Sequence, residues 1–66
     1  MQGAQNYYTE VLQIKGYTVN VTTYQIGDLY YCHVDNRDPG ATIARAQGND
    51  PDDVKRFALE KAASRL

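Results

Sequence analysis

The 66-residue sequence is short enough to make one domain, 1–66, with room for only a small core. Seven Lys and Arg against eight Asp and Glu leave a net charge of −1, and 42% of residues are hydrophobic. That balance excludes a disordered chain and a strongly basic nucleic-acid binder. No apolar run approaches the ~20 residues of a membrane helix, so no membrane partner is expected. The start, Met1 to Asn6, has no basic region followed by an apolar one, so no secretory leader is expected, and these six residues are expected to fray. The single cysteine, Cys32, rules out an intrachain disulfide framework and points to a reducing cytoplasm.

Asn6 to Ile14 admits two readings. As a strand it joins the next one through Lys15-Gly16, with Leu12 opposite Val19 and Ile14 opposite Tyr17. As a helix, Asn6 caps its start, Gly16 ends it, and Tyr7, Val11 and Ile14 form a stripe. The Tyr, Thr, Val and Ile content tips the balance to strand.

Tyr17 to Ile26 and Leu29 to Asn36 are rich in Val, Thr and Tyr and flank Gly27-Asp28. A glycine at the first central position of a two-residue loop suits a type II′ hairpin. Such a turn sets Ile26 opposite Leu29, Tyr24 opposite Tyr31, Thr22 opposite His33, Thr23 opposite Cys32 and Val21 opposite Val34. Val19, Val21, Thr23, Tyr30, Cys32 and Val34 then share an apolar face. Thr18, Asn20, Thr22, Tyr24, Tyr31, His33 and Asp35 share a polar, aromatic one.

Asn36 to Gly40 reads as a turn, punctuated by Pro39-Gly40. In the short strand that follows, Ala41 to Gln47, two registers are open. If Thr42, Ala44 and Ala46 face the core, Ile43 and Arg45 lie beside His33 and Tyr31; a one-residue slip reverses this.

Asn49-Asp50-Pro51-Asp52-Asp53 is a helix start, with Asp50 as N-cap and Pro51 at the first helical position. Val54, Phe57, Ala58, Ala62 and Leu66 recur at three- and four-residue steps as the buried stripe. The expected core is Val19, Val21, Cys32, Val34, Val54, Phe57, Ala58, Ala62 and Leu66. The fold class is α+β: an antiparallel three- or four-stranded meander with one C-terminal helix packed on one face.

From Tyr17 to Leu66 the chain resembles the strand-strand-strand-helix part of double-stranded-RNA-binding domains. The match is most specific in the helix, at Val54, Phe57-Ala58-Leu59, Ala62-Ala63 and Leu66. The family places paired lysines at the helix start to grip phosphates. Here those positions are Asp52 and Asp53, and Lys55 alone keeps the sign. The resemblance therefore implies the fold and weakens the RNA-binding activity.

The polar sheet face is the best candidate site, through Tyr24, Tyr31, His33 and Arg45. It can cover a second copy of itself, stabilise an exposed sheet through cross-strand tyrosines, or stack nucleobases. A homodimer is preferred, since a second subunit supplies the burial that 66 residues lack. Lys55 and Arg56, with Lys61 and Arg65, form a basic stripe on the helix that is either solvated or a phosphate contact. Cys32 and His33 are adjacent in sequence, but strand neighbours point to opposite faces, so they form no thiolate–imidazole pair. One His, one Cys and scattered carboxylates make no metal set. The expected function is a non-enzymatic protein-interaction module without cofactor or small-molecule substrate; RNA binding is the alternative.

Overall fold

The computed structural model describes residues 3–37 and 40–66. Four strands, β1 (Gln5–Ile14), β2 (Tyr17–Ile26), β3 (Leu29–Asn36) and β4 (Thr42–Gly48), precede one helix, α1 (Pro51–Arg65). The strands form a single antiparallel sheet in the order β1-β2-β3-β4, a plain meander. The turn reading at Asp38-Pro39 lies outside the described residues. Among the described residues, no helix is long and apolar enough to cross a membrane.

The first two hairpin turns are set by local chemistry. Lys15 and Gly16 each have positive φ, at 53° and 83°, which is the type I′ geometry that matches strand twist. That turn decides the open question over the first segment: it is a strand, with Leu12 opposite Val19 and Ile14 opposite Tyr17. The strand starts at Gln5, which pairs with Gln25, so the expected fraying to Asn6 is corrected. Asn6 is the extra residue of a bulge at φ 56°, held by its Nδ2 donating to Gln25 Oε1 at 2.9 Å. At the second turn only Gly27 has positive φ, the II′ pattern, and every β2–β3 pair follows the expected register.

The β3–β4 pairing corrects the simple alternation. His33 lies opposite Arg45 and Val34 opposite Ala44, but Asp35 lies opposite Thr42. Ile43 is thus an inserted residue. It turns to the core side, while Thr42 moves to the open face and donates to Asp35 Oδ1 at 2.7 Å. Neither uniform register describes the strand, because the bulge changes faces partway along.

The core is Val19, Val21, Cys32, Val34, Ala44, Val54, Ala58 and Ala62. Phe57 was expected there and is 51% exposed; Leu66 is only partly buried against it. The reason is the helix's choice of face. Val54, Ala58 and Ala62 sit exactly one four-residue step apart, and their short side chains let α1 lie close on β3 and β4. Gly48 helps: a Cβ there would meet Val54 Cγ2 at 3.1 Å. A phenylalanine at Phe57 falls to the flank of that contact, where Arg56 lies over its ring.

The helix start is built as its residues dictate. The Asp50 carboxylate accepts from the Asp52 and Asp53 N–H groups at 2.9 and 3.4 Å, and Pro51 occupies the first turn.

Candidate functional site on the open sheet face

α1 covers one side of the sheet and leaves the other bare. On the bare side the β2–β3 register sets Tyr24 directly beside Tyr31, with ring centroids 5.3 Å apart and planes 10° apart. Tyr7 extends the stack from β1, 4.9 Å from Tyr24 at 18°. Three strands thus present three nearly parallel rings in a row. His33 meets Tyr24 edge-on at 6.2 Å. Stacked rings at this spacing stabilise one another and leave flat apolar surface for a partner.

Tyr7 was not among the expected site residues, although its signal was present. Counting back from the Lys15-Gly16 turn puts Tyr7 opposite Tyr24, provided that the first segment is a strand.

Polar groups frame the ladder. His33 Nδ1 donates to Asp35 Oδ2 at 2.8 Å, and the other Asp35 oxygen accepts from Thr42. The carboxylate therefore fixes the ring's orientation and turns Nε2 away from Asp35. Arg45, opposite His33 on β4, is exposed. Tyr24, Tyr31, His33, Thr42, Arg45 and Gln47 line a shallow concavity of about 390 Å³. Beside His33 on the same face, Thr22 is buried, its hydroxyl 3.1 Å from that of Thr9.

Of the expected site residues, the fold brings Tyr24, Tyr31, His33 and Arg45 together and sends Lys55 and Arg56 elsewhere. Lys55 pairs with Glu10 on the helix side of the sheet, and Arg56 pairs with Asp53 at 3.0 Å. The hydrogen bond with Glu10 raises the Lys55 pKa above its ordinary value. Lys61 and Arg65 do not continue a stripe with them. They bend to the outer edge of β4, where they donate to the Arg45 carbonyl at 3.3 Å and the Ile43 carbonyl at 2.5 Å. Each helix cation is thus engaged within the chain.

Cys32 faces the helix, away from His33, and burial pushes its thiol up to about 11. Such a thiol stays protonated and behaves as a small apolar side chain. Among the described residues, no three His, Cys, Asp or Glu side chains gather as metal ligands. Comparison with protein families, curated proteins and solved structures finds no match to the chain.

Proposed function

We infer that the chain is a non-enzymatic protein-interaction module that works as a homodimer. The observation that carries this reading is one continuous surface. It is the row of the Tyr31, Tyr24 and Tyr7 rings, and Val11 shares that face two residues beyond Thr9 on the edge strand, with Tyr7 64% and Val11 55% exposed. The core behind it contains nothing larger than valine among its fully buried side chains. A chain with so little of its own burial gains most from covering the exposed Tyr7 and Val11 of β1 with a second copy. The buried, free Cys32 suits a reducing cytoplasm. The likeness to double-stranded-RNA-binding domains is kept for the β2-β3-β4-α1 part only, as a likeness of fold.

Light scattering across a wide concentration range tests the reading. The mass rises from one chain to two. A strict monomer up to millimolar concentration overturns it.

The parallel rings beside Arg45 favour a second reading, single-stranded nucleic acid stacked on the same face. Asp50, Asp52 and Asp53 at the helix start, and the pairing of Lys55 and Arg56, leave few free cations to hold a backbone. Titration with single-stranded and duplex RNA at low salt separates the two: ring and Arg45 shifts that vanish with added salt support this second reading.

A further inference from the structure

The two edges of the sheet are finished differently. Ile14 and Tyr17 flank a two-residue turn, so they exchange hydrogen bonds, and alternation turns the backbone N–H and C=O of Thr9, Val11 and Gln13 outward. At the far edge the outward carbonyls of Ile43 and Arg45 are capped by Arg65 and Lys61. Capping with cations is one way in which proteins stop an edge from recruiting another strand. Among the described residues, the side-chain hydrogen bond to the β1 backbone comes from Thr23 and goes to Tyr8, on the inward side. β1 has no proline or lysine, and its bulge lies at its first residues, leaving Tyr8 to Ile14 regular. Its one charge, Glu10, faces the helix side and is neutralised by Lys55. The same strand carries the three most exposed large apolar side chains, Tyr7, Tyr8 and Val11, at 64%, 59% and 55%.

We propose that β1 pairs antiparallel with β1 of a second copy about a two-fold axis at Thr9, joining two four-stranded sheets into one of eight strands. This rests on the homodimer reading above and names the surface that makes it. In a two-fold pairing each residue at the axis meets itself, so charge decides the register. Centring on Glu10 opposes two carboxylates. Centring on Leu12 or Gln13 runs the pairing past the Lys15-Gly16 turn, and centring on Val11 leaves Tyr7 against Lys15. Centring on Thr9 sets Tyr7 beside the second copy's Val11 on the open face and Tyr8 beside the second copy's Glu10 on the other. All three exposed side chains are then covered. α1 lies over β3 and β4 and does not obstruct this edge. Covering two tyrosines, a valine and the strand edge on each copy removes on the order of 1,000 Å² from water. That is the low end for a specific contact, so the dimer is reversible.

Amide exchange by NMR at low micromolar and near-millimolar concentration, alongside light scattering, tests the pairing. The Thr9 and Val11 amides are unprotected in the monomer and slow at least ~10-fold as the mass doubles. Val11→Lys, at an exposed position, returns both amides to fast exchange and the mass to one chain, while Phe57→Ser, on the exposed flank of the helix, leaves the edge protected. A dimer whose Thr9 and Val11 amides stay fast overturns the edge pairing and leaves the homodimer reading intact. A monomer at every concentration overturns both.

Discussion

The Lys55 ammonium, one turn into α1, pairs with the Glu10 carboxylate on β1, the strand farthest from the body of the helix. The pair is half-buried, and it spans the distance from the helix over β3 and β4 to the opposite edge. It also removes the one charge that would otherwise mark β1 as a protected edge.

Replacing Glu10 by Gln, or Lys55 by Met, is expected to cost about 1 kcal/mol in urea unfolding. A double-mutant cycle should recover a coupling below that, because both groups keep some contact with water. A coupling near zero would show that the pair contributes nothing to stability.

Phe57→Ser is expected to change stability by less than about 0.5 kcal/mol, since the ring lies on the flank of the helix. Ala58→Leu, one residue along, should cost about 1–3 kcal/mol by forcing α1 off the sheet. Thermal unfolding of the two variants checks both; the reverse order would mean that the helix presents a different face.

This contrast shows where sequence reasoning stopped. The turns and the helix start were legible because their chemistry is local: Gly27 alone specifies the β2–β3 register, and Asp50-Pro51 begins the helix. The ladder from Tyr24 to Tyr31 followed from that register. What the sequence left hidden depended on longer-range fits. The Ile43 bulge swaps the faces of Thr42 and Ile43 with no punctuation to announce it. Phe57 fits the helical period as well as Ala58 does, and only close approach to the sheet prefers the smaller residue. Lys61 and Arg65 read as a solvated stripe until β4 supplied carbonyls for them.

Asp50→Ala removes the acceptor for two backbone N–H groups and is expected to cost about 1 kcal/mol, with a loss of helical circular dichroism confined to α1. Asp50→Ser should restore most of it. Equal losses for the two variants would assign the effect to charge instead.

Stability is expected to fall as pH rises from about 9 to about 11. The unfolded Cys32 thiol ionises from the lower value, while burial holds the folded thiol protonated up to the higher one. Across that window the unfolded state therefore binds fewer protons, and the folded state loses ground, by on the order of 3 kcal/mol. In Cys32→Ala this part of the alkaline decline should disappear. A residual decline that begins at about pH 10.5 belongs to Lys55, whose raised pKa makes its pair with Glu10 stabilising until the ammonium itself deprotonates. An alkaline profile unchanged by Cys32→Ala would show that the thiol is not buried.

The most direct test of a homodimer built on β1 is an isotope-filtered NOE experiment on an equal mixture of labelled and unlabelled chains near millimolar concentration. The pairing predicts intermolecular contacts between the Tyr7 ring and the Val11 methyls. Intermolecular contacts confined to Tyr24 and Tyr31, or none at all, would contradict it.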